Sequence, residues 1–211
     1  MRKKRVVVLL ILSACLALAP GLPLAAQEGG EQEPVEQLPI YSLGQQTLSI
    51  SAGLFIPLFY QAFSGGYSDT TGLKLGGVGS LQWGIHLDNH WLVGLEVGGM
   101  FAPSRDIPEN VLYQLPITAK GAYIFHLFPF EISLFLDAGM DIVKYADQTQ
   151  FNFILKPGFT PLWKYNSEWG FGLNVAWWLV FQPWYADRPG GTGAGRMGNF
   201  LEITATAQYN F

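Results

Sequence analysis

Apolar and polar residues alternate with a period of two along most of the chain after residue 46. In the first run, 47–60, Leu48, Ile50 and Leu54 share one face, and small, polar or glycine positions make up much of the other. Seven further runs follow, at about 73–87, 91–101, 113–126, 132–142, 151–164, 169–181 and 202–211. This period is typical of β-strands with one apolar face. The pattern therefore predicts an all-β chain with eight strands.

These runs are long for a globular protein. The apolar face of the first run extends to Tyr60, and that of the second begins at Leu73. Strands of globular proteins usually have about 5–6 residues, whereas a tilted strand needs about 9–11 to cross a bilayer. Because hydrocarbon offers the backbone no hydrogen-bonding partner, a spanning sheet must close on itself. We therefore expect a transmembrane up-and-down antiparallel β-barrel.

The connections between the runs differ in length. Short turns are predicted around Asn89, Pro129 and Ser167, and longer connections at about 62–72, 102–112, 144–150 and 182–198. Short periplasmic turns that alternate with longer external loops are typical of bacterial outer-membrane barrels. This order places both chain ends in the periplasm.

Aromatic residues concentrate at the two ends of the predicted outer face. Tyr60, Phe101, Tyr113, Phe151 and Phe181 mark the loop end. The short-turn end carries Trp83, Trp91, Tyr123, Phe125, Trp163, Tyr165, Trp169, Phe171, Tyr209 and Phe211. Amphipathic rings favour the headgroup level of a membrane, so two girdles are predicted.

The last run resembles a known sorting signal. Ile203-x-Ala205-x-Ala207-x-Tyr209-x-Phe211 is similar to the C-terminal pattern by which outer-membrane barrels are recognised for insertion. The region 46–211 resembles, in architecture, the small eight-stranded outer-membrane barrels of the OmpX-like and OmpW-like kind, and no motif selects a subfamily. The resemblance implies an integral outer-membrane protein that contacts membrane lipid and the barrel-assembly machinery, with Tyr209 and Phe211 as its insertion signal.

The residues before the barrel predict export. Basic residues 2–5, an apolar run 6–19 and the small residues around Ala26 are typical of a signal peptide, 1–26. The apolar run is short for a spanning helix, which needs about 20 residues. A lipoprotein signal at Leu12-Ser13-Ala14-Cys15 remains an alternative. Residues 27–45 are predicted to be an acidic periplasmic tether.

Charge and motifs narrow the function classes. All 16 acidic residues but only eight of the 12 basic ones follow residue 26, which gives that part a net charge of −8. This balance argues against nucleic acid as a partner. If cleavage occurs after Ala26, no cysteine remains for disulfides, thiol catalysis or metal ligation. No segment has the spacing of a dedicated metal or cofactor site.

Histidine placement argues against catalysis. Barrel enzymes that act on lipids resemble hydrolases or acyltransferases with a histidine near the outer leaflet. His86, His90 and His126 instead fall at the predicted short-turn end. A Ser–His–acid arrangement at the loop end cannot be assembled from them, so we expect no enzyme.

The inward face predicts a polar lumen. Side chains just fill an eight-stranded barrel, and symmetric pairing about the 128/129 bond places Lys120 opposite Asp137. It likewise places His126 opposite Glu131. We expect a lumen network that includes Glu96, Lys120, Asp137 and Lys156.

Two large inward groups mark a candidate constriction, Phe135 and Trp178. Pairing centred near Ser167 places Lys156 opposite Trp178. A cation–π contact is one interpretation of this pair, and simple packing is the preferred one.

Two functions remain open. The preferred one is a structural or surface-interaction role through external loops, of which 182–198 is the longest and carries Trp184, Tyr185, Asp187 and Arg188. An extracellular ligand would then bind these loops. The alternative is a narrow pore or uptake route for small apolar or polar molecules, with Phe135 and Trp178 lining it.

Overall fold

The computed structural model describes residues 41–63, 68–105, 110–146, 148–182 and 195–211. These residues form nine strands: β1 (Gln46–Ala62), β2 (Ser68–Thr70), β3 (Gly76–His86), β4 (Trp91–Pro103), β5 (Val111–Leu127), β6 (Phe130–Tyr145), β7 (Gln148–Lys164), β8 (Trp169–Gln182) and β9 (Arg196–Asn210). No helix in these ranges is long and apolar enough to cross a membrane.

Eight of the strands form a closed antiparallel wall. β1 and β3 to β9 pair in chain order, and β9 returns to β1, with Leu48 opposite Tyr209. The prediction of an eight-stranded up-and-down barrel is therefore confirmed. The additional strand, β2, pairs only with the loop end of β1, from Phe59 to Gln61.

The wall has an apolar outside and a mostly polar inside. On β1, Leu48, Ile50 and Leu54 are exposed, whereas Thr47 and Ser49 between them are buried. The same alternation continues around the wall: large exposed apolar side chains face outward on β1 and on β3 to β8, and the partly exposed Leu201 and Ile203 do so on β9. A soluble protein rarely exposes so continuous an apolar surface, and this one is suited to lipid.

Rings contact one another along the short-turn end of the outer wall. Tyr123 contacts Trp91 and Phe125, with ring centroids 5.1 and 4.9 Å apart. Across the β8–β9 pair, Tyr209 packs between Trp169 and Phe211 at 4.9 and 5.9 Å. These contacts form an aromatic belt of the kind that sits at a headgroup layer.

Two of the face assignments from the sequence are wrong. Tyr60 was expected on the outer face, but its ring contacts the buried Phe200 at 6.0 Å. The register of β1 shifts between Pro57 and Phe59, and a bulge of this kind moves later side chains to the opposite face. Leu73 was expected on the outer face at the start of the second predicted strand, which corresponds to β3. It is instead buried, and it precedes β3 in an isolated bridge to Ser104.

One connection is also shorter than expected. The sequence predicts a long loop at 144–150, but β6 and β7 remain paired as far as Tyr145 and Gln148. Only residues 146 and 147 join them, with Ala146 at a φ of 51°. One of the four connections that were predicted to be long is therefore short, so short and long connections do not alternate around the whole barrel.

Some sequence predictions lie outside the described residues. These are the signal peptide 1–26 with the alternative lipidation at Cys15, the tether over 27–40, and Trp184, Tyr185, Asp187 and Arg188 in the longest loop.

Candidate functional site in the barrel lumen

The middle of the lumen contains a layer of charged side chains. Glu96, Lys120, Asp137 and Lys156 occupy inward positions on β4, β5, β6 and β7, and all four are buried. Lys120 lies opposite Asp137, and Asp137 lies opposite Lys156. The register also places His126 opposite Glu131, as the turn at 128/129 predicts.

Ion pairs connect these four residues across the lumen. Lys120 Nζ lies 3.4 Å from Glu96 Oε2 and 3.4 Å from Asp137 Oδ2. Lys156 Nζ lies 2.5 Å from Glu96 Oε1, although β4 and β7 are not neighbours in the wall. The structure therefore brings the four predicted residues into one group, since each lysine is shared between carboxylates.

A fifth charged residue joins this group, which the sequence analysis did not include. Glu202 on β9 is fully buried, and its Oε2 lies 3.3 Å from Lys156 Nζ. The indole of Trp178 donates a hydrogen bond to Glu202 at 2.7 Å, and Asn174 Nδ2 donates another at 3.1 Å. Its inward position was evident from the alternation, but its partner on β7 depends on the width of the barrel.

Both lysines also lie over aromatic rings. Lys120 Nζ is 3.7 Å from the ring centroid of Phe135, and Lys156 Nζ is 4.5 Å from that of Trp178. A cation within about 6 Å of a ring centroid is attracted to the ring face. The preference for simple packing between Lys156 and Trp178 is therefore wrong, because the pair has cation–π geometry.

An apolar layer fills the lumen on the loop side of the charged layer. Phe55, Ile154, Val180 and Phe200 are fully buried there. The ring of Phe55 lies 5.2 Å from Trp178 and 5.0 Å from Phe200, in edge and tilted contacts. Trp178 thus packs within this layer. Phe135 belongs to the same buried apolar cluster, but it lies on the other side of the charged layer, where it lines a small cavity.

At the short-turn end, Tyr41 enters the lumen from the segment before β1. Its side chain is only 2% exposed, and its ring stacks on His86 with centroids 3.8 Å apart and an interplanar angle of 9°. Its backbone N–H donates to Asn89 Oδ1 at 3.2 Å. The sequence placed this residue in the tether, but here it packs inside the mouth of the barrel.

The hydroxyl of Tyr41 joins two charged residues. It donates to Glu131 Oε2 at 2.7 Å and accepts a hydrogen bond from Lys164 Nζ at 2.6 Å. Burial, together with the nearby Glu131 carboxylate, raises the pKa of Tyr41 well above its ordinary value, so the phenol keeps its proton. His126 Nδ1 lies 3.2 Å from the other oxygen of Glu131. Tyr41 is thus held by the ring of His86, the carboxylate of Glu131 and the ammonium group of Lys164.

A small cavity lies between the charged layer and Tyr41. Its volume is about 30 Å³, and Ser51, Glu96, Lys120, Glu131 and Thr206 are among the residues that line it. This is room for about one or two water molecules. Along the described residues, the lumen is therefore filled by an apolar layer, a charged layer and Tyr41.

The two predicted insertion residues lie at the seam where the barrel closes. Phe211 exchanges backbone hydrogen bonds of 2.9 Å with Gln46 in both directions, while its side chain is exposed. Tyr209 is outward on β9, in the aromatic belt. Within the described ranges, no three histidine, cysteine or carboxylate side chains are grouped to hold a metal ion.

Comparison with known proteins places this chain in a family. A protein-family model matches residues 28–209. A Borreliella burgdorferi protein described as "Uncharacterized protein" is 30% identical over 156 residues, which cover 64% of this chain and 73% of that protein.

Solved structures share the barrel. The outer membrane protein OprG from Pseudomonas aeruginosa has a TM-score of 0.50 and 12% identity over 80% of this chain and 96% of its own. Neisserial surface protein A has a TM-score of 0.48 and 13% identity over 80% of this chain and 97% of its own. The likeness to OprG supports the eight-stranded outer-membrane barrel fold. The chain therefore belongs to the family that its family model and the Borreliella burgdorferi protein represent, and it has the fold of outer-membrane β-barrels.

Proposed function

We propose that this protein is an integral outer-membrane barrel with a closed lumen, whose role is structural or a surface interaction through its external loops. The filled lumen carries the proposal. Apolar side chains occupy its loop side, ion pairs cross its middle, and Tyr41 occupies its short-turn mouth. The cavity between the charged layer and Tyr41 has a volume of only about 30 Å³, which supports a closed lumen.

The histidines support a role without catalysis. His126 contacts Glu131 and the backbone oxygen of Asn89, and His86 is covered by the ring of Tyr41. Both are therefore engaged in closing the short-turn mouth. Under this proposal that end faces the periplasm, and the loop end faces outward to meet a ligand or a surface.

Single-channel recording in a planar bilayer tests the closed lumen. The full chain is refolded, and only the fraction that shifts on unheated gels is used, since that shift indicates a closed barrel. We expect no discrete openings, because three layers would have to move to admit a solute. Discrete openings whose size changes in Trp178→Ala would contradict the proposal and favour the narrow pore.

The orientation needs a separate test. An epitope inserted within 183–194 should be accessible to antibody on intact cells, whereas one inserted within the 165–168 turn should require permeabilised cells. The opposite pattern would overturn the assignment of the loop end to the outside. Surface labelling of both epitopes on intact cells would indicate that the barrel is not inserted.

A further inference from the structure

A second group of polar side chains is buried in the lumen, on the loop side of the charged layer. Asp141 on β6 lies opposite Asn152 on β7 and opposite Pro116 on β5. Gln114 and Thr118 flank Pro116 on the same inward face, so each lies diagonal to Asp141. Opposite and diagonal side chains of paired strands are within reach of one another. We call Gln114, Thr118, Asp141 and Asn152 the loop-side cluster.

The loop-side cluster contains polar atoms that have no partner. None of its four side chains is more than 6% exposed. Gln114 Oε1, Thr118 Oγ1 and both carboxylate oxygens of Asp141 have no hydrogen-bonding partner, and neither has the side-chain nitrogen of Asn152. A buried polar group without a partner is unfavourable. Four such oxygens at one place therefore point to a ligand that contacts oxygen.

The carboxylate of Asp141 also has no counter-ion beside it. The backbone N–H of Leu115 and the charge of Lys156 favour this carboxylate, but Lys156 is already paired with Glu96 and Glu202. A buried carboxylate without a close counter-ion is costly. The positions opposite and diagonal to Asp141 on β5 and β7 are all neutral: Gln114, Pro116, Thr118, Gln150, Asn152 and Ile154.

Negative charge is in excess in this part of the lumen. From the charged layer to the loop-side cluster, the described residues include four buried carboxylates but only two buried ammonium groups. The carboxylates belong to Glu96, Asp137, Asp141 and Glu202, and the ammonium groups belong to Lys120 and Lys156. A water molecule leaves this excess unchanged, and a single proton reduces it by one. A divalent cation removes it.

We propose that the loop-side cluster binds one divalent cation of the calcium class. Ca²⁺ accepts carboxylate, amide and hydroxyl oxygens in a flexible arrangement of six to eight ligands, some of them water. Asp141 supplies two oxygens, and Gln114 and Thr118 supply one each. A half-turn of the Asn152 amide exchanges its nitrogen for its oxygen and adds a fifth. This site has one carboxylate among neutral oxygens, so it differs from a site built of several acids or histidines.

Urea unfolding of the full chain, refolded into phosphatidylcholine vesicles and freed of divalent ions with a chelator, tests the site. The unfolding midpoint of the wild type should rise with added calcium chloride and then saturate, because the folded state alone contains the cluster. Asp141→Asn should weaken this calcium dependence by roughly tenfold or more, the change for about 1.4 kcal/mol. In the chelator alone, Asp141→Asn should be at least as stable as the wild type, because it removes an uncompensated charge.

A second variant and a control make the test specific. Thr118→Val keeps the volume of the side chain but removes one oxygen, so the calcium dependence should move to concentrations roughly threefold or more higher. Glu168→Gln removes an exposed carboxylate in the turn before β8 and should keep the full calcium effect. A wild-type midpoint that calcium leaves unchanged would overturn the proposal. So would an equal rise in Asp141→Asn, or an equal rise with sodium chloride at the same ionic strength.

Discussion

At the scale of single residues, the hydroxyl of Tyr41 makes two hydrogen bonds to strand residues, although Tyr41 itself lies before the first strand. Tyr41→Phe retains the ring stack on His86 but removes the bonds to Glu131 and Lys164. We expect it to lower the free energy of unfolding by about 1–3 kcal/mol, the range for buried bonds to charged groups. Urea unfolding of the barrel in lipid vesicles measures this change.

An exposed tyrosine provides the control. Tyr165 is 65% exposed, and Tyr165→Phe should change the free energy of unfolding by less than about 0.5 kcal/mol. An equally small change for Tyr41→Phe would mean that Tyr41 does not hold the short-turn mouth closed.

Lys156 is the residue on which the charged layer depends most. It is fully buried and pairs with both Glu96 and Glu202. Removal of one partner from a buried ion pair costs about 3–5 kcal/mol, because the remaining charge is left uncompensated. We expect a loss of that size for Lys156→Met in urea unfolding, against little change for the exposed Arg105→Met. Stability equal to wild type would show that the layer tolerates an unpaired carboxylate.

At the scale of the strand pair, Gly139 sets how closely β5 and β6 approach. A Cβ at this position would lie 2.1 Å from the backbone oxygen of Ile117. Gly139→Ala should therefore separate the strands and cost about 1–3 kcal/mol, as overpacking does elsewhere. Gly121→Ala, in open space, should be neutral. The fraction that folds, read from the gel shift, distinguishes them, and equal folding would show that the β5–β6 spacing is adjustable.

Strand faces were predictable because lipid and lumen impose opposite chemistry on alternate residues. The pairing of Lys120 with Asp137 followed because the turn at 128/129 fixes the register of a hairpin. Tyr60 was misplaced because a bulge changes the face without changing composition. The short connection at 146–147 was missed because polar residues 148–150 look like a loop but continue the strand.

At the scale of the whole molecule, the closure of the lumen depends on contacts that a linear pattern does not contain. Glu96 and Lys156 meet across the barrel, on strands that are not neighbours. Tyr41 docks from outside the wall onto Glu131, 90 residues away. Such pairs depend on barrel diameter and strand tilt, so the sequence predicted a polar network but not the closed mouth.

A change at the seam between β1 and β9 can test folding of the barrel and its assembly in cells separately. Phe211 closes it through backbone bonds to Gln46, which a side-chain change leaves in place, and its ring is exposed. Phe211→Ala should therefore change urea unfolding of the refolded barrel by less than about 0.5 kcal/mol. If Tyr209 and Phe211 form the insertion signal, the same variant should accumulate unassembled in cells, as measured by the unshifted fraction on unheated gels. Leu173→Ala, an exposed outward change on β8, controls for loss of apolar surface. Normal assembly of Phe211→Ala in cells would refute the signal, whereas poor refolding in vitro would assign Phe211 a structural role instead.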